Sequence, residues 1–207
     1  MPKRDRYVVV VIAQDSQDPA SPADPGPALE ALGLWSFWRP RAGSVAGLVR
    51  CGTVDPALIA GALGRQEGCR AGVSPRFEEL ALADQGLRLA LRALATLPPG
   101  TGQVADLDER LVHAALGAEP EIADRLVMRY LEGVLHSGNE RPELLDTLRT
   151  WLDSGCSASL TAAQLFCHRN TVLNRIGRVA ELTGWPPESG EARLGWALAL
   201  RALELAR

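Results

Sequence analysis

The rhythm of apolar and polar positions changes from the front of the chain to the back. Residues 7–13, YVVVVIA, are β-branched and apolar at nearly every position, which predicts a central strand covered on both faces. Between residues 14 and 26, Pro19, Pro22 and Pro25 stand among Ser, Asp and Ala and predict a long loop. Residues 34–38 and 44–51 read as short strands joined by Arg39-Pro40-Arg41-Ala42-Gly43, a hairpin connection against which Trp35 and Trp38 are expected to pack. Asp55 should cap a short helix reaching Leu63, with Pro56 at its first position. Residues 69–74, CRAGVS, predict another strand, broken at Ser74-Pro75. From Phe77 onward, Leu80, Leu87, Leu91 and Leu94 recur on one helical face until Pro98-Pro99-Gly100 stops the pattern, and residues 103–107 read as a closing strand.

Beyond Asp108 the pattern is helical throughout, over 108–116, 120–136, 142–153, 159–166, 168–183 and 191–206. Ser137-Gly138-Asn139 and Gly184-Trp185-Pro186-Pro187 are the clear breaks. The expected fold class is α+β: an antiparallel sheet with helices, followed by an all-α domain.

Composition narrows the function. With 207 residues, 46% hydrophobic and 23% charged, the chain can bury a real core and is not disordered. A net charge of -3 excludes coating of nucleic acid by bulk basicity, so a DNA binder of this composition needs a localised basic element. Cys51, Cys69, Cys156 and Cys167 form no C-x-x-C pair and have no His at zinc-ligand spacing, which predicts free thiols. Glu109 and His113 share a helical face but lack further ligands, so no metal site is expected. No G-x-S-x-G elbow surrounds a serine, and Lys3, the single lysine, is remote from any phosphate-binding loop. Catalytic residues and cofactors are therefore expected to be absent, and an enzyme is not expected. The apolar run after the basic start is too short for a signal peptide, and no stretch approaches the roughly 20 residues of a membrane helix, so a cytoplasmic protein without membrane partner is expected.

The informative stretch lies within residues 157–183. Ser159 is a natural N-cap for a short helix whose apolar side carries Ala162, Leu165 and Phe166. After a tight break at Cys167-His168, Val172, Ile176 and Val179 fall on one face of a longer helix. The opposite side carries Asn170, Asn174, Gly177 and Arg178, with Thr171 and Arg175 at its edge. This is a helix-turn-helix arrangement, whose second helix enters the major groove. From residue 159 to 180 there are three arginines, Arg169, Arg175 and Arg178, and no acidic residue, so this window is the localised basic element. Arg169, Asn170 and Asn174 are candidates for reading bases, while His168, Thr171, Arg175 and Arg178 would hold phosphates or the start of the helix. A small thiol filling the turn is the expected role of Cys167.

The residues Leu144-Leu145-x-Thr147-Leu148, Leu165-Phe166-x-His168-Arg169-Asn170-Thr171-Val172, Arg175-Ile176, Leu182-Thr183-Gly184 and Ala197-Leu198-Ala199-Leu200 carry a resemblance over about residues 140–207. They resemble the C-terminal helix-turn-helix domain of the PucR/CdaR family of bacterial transcription regulators. Upstream, Ala71-Gly72-Val73-Ser74, with Ala83 and the 90–94 helix, looks like the degenerate GGDEF-like domain that precedes it in that family. Active diguanylate cyclases hold nucleotide and metal at a carboxylate-bearing turn, whereas residues 39–43 here read RPRAG without a carboxylate, so cyclase activity is not implied. Two departures stand out. Leu173, Asn174 and Gly177 replace the arginines and aromatic common in the family, and only six residues precede the first strand, so the expectation is either that the family's front sensor is absent or that this is a shortened form.

The resemblance implies 1–116 as the GGDEF-like α+β domain, 117–139 as a helical connector and 140–207 as the DNA-binding domain. It implies a regulator that binds double-stranded DNA, works as a homodimer on paired half-sites and answers to an unidentified small-molecule effector. The alternative is a dimerisation or ligand-sensing module with a vestigial helix-turn-helix.

Overall fold

The computed structural model describes residues 5–14, 25–63 and 69–205. They form two compact units, Met1–Ala118 and Glu119–Arg207. Most of the loop expected at 14–26 lies outside the described residues; at its ends the loop is shorter than expected, since Gln14 closes the first strand and Gly26 opens a short helix.

The first unit is built on β1 (Tyr7–Gln14), third in a five-stranded sheet of order β2-β3-β1-β4-β5, where β2 is Trp35–Arg41, β3 Ser44–Arg50, β4 Cys69–Val73 and β5 Val104–Asp106. Its uninterrupted apolar run has the predicted cause: each face meets a different set of helices. Val8, Val10 and Ile12 pack with Leu29 of α1 (Gly26–Glu30) and with Ile59 and Leu63 of α2 (Pro56–Leu63). Val9, Val11 and Ala13 pack with Ala90 and Leu94 of α3 (Ala83–Ala95). The Asp55 carboxylate caps α2 as expected, accepting the Ala57 N–H at 3.0 Å.

The α+β class holds, but the sheet is mixed rather than antiparallel. β5 runs parallel to β4, Ala71 pairing with Val104, because α3 carries the chain back over the sheet between them. α3 also starts later than the leucine spacing predicts. Phe77 is held in a bridge to Tyr7, its N–H donating to the Tyr7 carbonyl at 2.9 Å, and the helix begins at Ala83 after one 3-10 turn. The face it buries is made of Gly86, Ala90, Ala93 and Leu94, while Leu80 and Leu91 are exposed. Small residues are required there: a Cβ on Gly72 would stand 2.1 Å from the Ala90 carbonyl oxygen. Of the two tryptophans expected on the hairpin, Trp38 lies over Gly47, whereas Trp35 is exposed. A final helix, α4 (Leu111–Ala118), follows β5.

The Asp106 carboxyl is pushed above its ordinary value, chiefly by burial, against the opposing hydrogen bond it accepts from the Asp108 N–H at 2.9 Å.

The second unit is entirely helical: α5 (Pro120–Leu135), α6 (Arg141–Asp153), α7 (Ala158–Gln164), α8 (Arg169–Thr183) and α9 (Gly190–Leu205). α5, placed by sequence in a connector, contributes Tyr130, Leu131 and Val134 to one core with Leu144, Leu148, Trp151, Val172, Ile176, Val179, Trp196 and Leu200. It does so because its glycine lets backbones approach: a Cβ on Gly133 would stand 2.0 Å from the Leu182 carbonyl oxygen of α8. Gly195 of α9 similarly accepts the ring of Tyr130. No helix of the described residues is long and apolar enough to cross a membrane.

Gly72→Ala and Gly133→Ala each force backbone apart, and each is expected to destabilise its own unit by about 1–3 kcal/mol. Urea unfolding followed by circular dichroism would show a lowered midpoint at unchanged slope; a wild-type midpoint for either variant would contradict the close packing.

Candidate nucleic-acid interface

α7 and α8 are set by three local devices. Ser157, not Ser159, caps α7, its hydroxyl accepting the Leu160 N–H at 3.4 Å; Ser159 lies two residues inside the helix and is exposed. Ser157 wins because it alone has the extended backbone a cap needs, with ψ 110°. α7 ends in a Schellman-type turn. The Cys167 N–H donates to the Ala162 carbonyl at 3.0 Å while Phe166, at φ 51°, takes the left-handed position usually given to glycine. Phe166 was expected on the apolar side of α7; that backbone turns its ring out, and it is 95% exposed. Cys167 instead packs against the core beside Ala162.

His168 then caps α8, its Nδ1 accepting the Asn170 N–H at 3.2 Å. Val172, Ile176 and Val179 are buried as the spacing predicts, and this fixes the outward row as Asn170, Asn174 and Gly177. Gly184, left-handed at φ 74°, ends the helix.

The candidate side chains fall into two groups. His168, Arg169, Asn170 and Asn174 are exposed over the first two turns, and Arg169 makes no ion pair among the described residues. Thr171, Arg175 and Arg178 form the row beside α6. Arg175 is half-buried, donating to the Thr147 hydroxyl at 3.3 Å and pairing with Glu143. Arg178 pairs with Glu140 and Glu181, both at 3.2 Å, and these bonds raise its pKa above the ordinary arginine value, the Glu140 bond most. The window without acids along the chain is therefore not without acids in space. Glu140 and Glu143 stand more than thirty positions upstream of their arginine partners, beyond any local charge count.

Sequence reasoning also missed exposed apolar side chains on α7, the turn and α8. Leu160 and Leu173 are exposed along with Phe166. The only available clue was that Leu173 stands where a polar residue would complete the outer face.

Comparison with known proteins bears on this same region. Residues 144–202 match the PucR C-terminal helix-turn-helix domain. Over 75 residues the chain is 36% identical to the purine catabolism regulatory protein of Bacillus subtilis (strain 168), a match covering 36% of this chain and 14% of that protein's length. A crystal structure of a regulator of polyketide synthase expression from Bifidobacterium adolescentis is 23% identical, with 96% of this chain and 84% of that chain aligned at a TM-score of 0.39.

Gly177 sits in mid-helix with nothing within 4 Å of where a Cβ would stand, so no packing requires it. Gly177→Ala is expected to raise the stability of the second unit by about 0.5–1 kcal/mol, because alanine restricts the unfolded chain and favours helix. Thermal melting would show the rise, and a lowered melting temperature would mean that the glycine has a structural role.

Proposed function

We propose that this chain, whose residues 144–202 match the PucR C-terminal helix-turn-helix domain, is a transcription regulator that binds double-stranded DNA through α8. The observation that carries the reading is the exposed first half of α8, where a tight turn presents His168, Arg169, Asn170 and Asn174, with no acidic partner to Arg169 among the described residues. Arg169 offers guanine a bidentate donor pair, and Asn170 and Asn174 fit adenine edges. Gly177 leaves the outward row low, which lets the helix approach the floor of the groove. His168 and Thr171 hold phosphate at the start of the helix, while Arg175 and Arg178 reach phosphate by exchanging Glu143 and Glu140 for it.

In this reading the chain works as a homodimer on two half-sites, in the cytoplasm. The first unit is a GGDEF-like domain that transmits a signal rather than turning over nucleotide. Its β2–β3 hairpin turns at Ala42-Gly43, with no carboxylate in the turn to hold Mg²⁺. The second reading, a protein-contact module, is favoured by exposed Phe166, Leu160 and Leu173.

Fluorescence anisotropy of the full chain on duplexes from its own upstream region, with scrambled duplexes as controls at two salt concentrations, separates the two. Specific binding that weakens with salt is expected, and Arg169→Ala should lose about 1–3 kcal/mol on the specific duplex. Absence of binding to any duplex at low salt, or equal loss by Arg169→Ala on both duplexes, would overturn base reading by α8. On the same duplexes Glu143→Gln should bind a few-fold more tightly, since it frees Arg175 and removes a negative charge beside the phosphates, corresponding to about 1 kcal/mol or less for an exposed pair. Unchanged or weaker affinity would mean that Arg175 stays turned toward α6 in the complex.

A further inference from the structure

We propose that the first unit carries a binding cleft for a small planar anion, an aromatic ring bearing a carboxylate or phosphate, between the β2–β3 hairpin and the first turns of α3. Alternation along β2 puts Trp35, Phe37, Arg39 and Arg41 on one side of the sheet, and their β3 partners include Ala46 and Leu48. α3 covers the β1 end of this side but not the hairpin, leaving a cleft of about 460 Å³, within the roughly 300–1,000 Å³ of small-ligand sites. Its floor is apolar, from Val9 and Leu48, and Leu87 of α3 faces the hairpin across it.

The polar groups around that floor are lopsided in charge. Arg39 and Arg41 line the hairpin wall and make no ion pair among the described residues. Arg39 lies over Phe37, 5.6 Å from the ring centroid, which holds its guanidinium at the rim. The one carboxylate in the lining, Asp84, is already neutralised by Arg88. Protection of an edge strand accounts for Arg39, Pro40 and Arg41, since charge and proline discourage strand addition. It does not account for Phe37 and Trp35, 50% and 53% exposed on the same side. Exposed rings beside unpaired guanidinium groups fit a ligand that presents a π-face and a negative group together. A second copy of this chain is a poor occupant, because two such faces would bring arginines together with only Asp84, already paired with Arg88, to offset them. A polymer is also a poor fit, since α3 closes one side. Another cleft of the unit, about 590 Å³, lacks this character: Asp5 and Glu78 stand in its lining against Arg6 and Arg50, and no aromatic ring lines it.

Isothermal titration calorimetry on the full chain tests the cleft without involving DNA, so its failure and that of the regulator reading are separate. AMP and GMP are the phosphate-bearing probes, benzoate and indole-3-acetate the carboxylate-bearing ones, and adenosine, benzamide and indole their uncharged counterparts. The expected result is binding in at least one anionic arm, at least tenfold weaker for its uncharged counterpart, and at least tenfold weakened by Arg39→Gln/Arg41→Gln. The arm that binds identifies the anionic group. Phe37→Ser, also at an exposed position, should weaken the same probe with an unchanged melting curve. The proposal is overturned if no anion binds at millimolar concentration, if charged and uncharged probes bind alike, or if the double variant binds as wild type does.

Discussion

Burial of Val172, Ile176 and Val179 fixes the direction in which α8 faces, and the candidate interface is what that burial leaves outside. Each such side chain contributes about 1.5–3 kcal/mol when fully buried. An exposed ion pair contributes about 0–1 kcal/mol. The rotation of α8 about its axis is therefore decided by the apolar row packing against Leu144, Leu148 and Leu131. The pairs Arg175–Glu143 and Arg178–Glu140 follow from that rotation rather than cause it. Gly133 strengthens the constraint by letting the backbone of α8 at Leu182 approach α5 closely.

This ordering of energies also separates what is fixed from what can be exchanged. His168, Arg169, Asn170 and Asn174 keep their positions as long as the core holds, because the turn that places them is closed by backbone bonds and the helix start by the side chain of His168 itself. Arg175 and Arg178 keep theirs only while Glu143 and Glu140 remain the best available anions. A duplex brings many phosphates at once and releases condensed cations when they are neutralised, a gain that one glutamate cannot match. The weaker the internal pair, the smaller the cost of changing partner.

The legible part of the sequence was the part governed by local rules. The run around Val8–Ile12 announced a central strand, and Asp55-Pro56 announced a helix start, because each depends on residues within a few positions. The 3.6-residue spacing of Val172, Ile176 and Val179 announced a helix and its inner face. What was not legible depended on distant partners. α3 was expected to bury leucines and does bury Leu94, but the carbonyl of Ala90 lies so close to Gly72 that the rest of its buried face is small and Leu91 faces out. The direction of β5 depends on the path of α3, which a three-residue strand cannot encode. Arg175 and Arg178 looked free because Glu143 and Glu140 are remote in sequence and Glu181, the local partner of Arg178, lies one residue beyond the acid-free window. Ser157 and Ser159 were equally good caps by residue type, and only backbone angles distinguish them.

The glycines and strained positions of the second unit divide along the same line. Gly133 and Gly195 are required by neighbours, and Gly184 by its left-handed backbone. Gly177 has no such requirement, and Phe166 occupies a left-handed position at a cost of roughly 1–2 kcal/mol while exposing its ring to water. Neither choice serves the stability of the folded unit, and both lie in α8 or the turn that leads into it. Local rules broken without compensation inside the molecule point to compensation outside it. The same reasoning separates the two tryptophans of β2 in the first unit. Trp38 is explained by the gap it fills over Gly47, whereas Trp35, like Phe37 beside the cleft, is left exposed. In the first unit the exposed Phe37 lies under the guanidinium of Arg39, and in the second the exposed Phe166 stands three residues before Arg169, which makes no ion pair among the described residues.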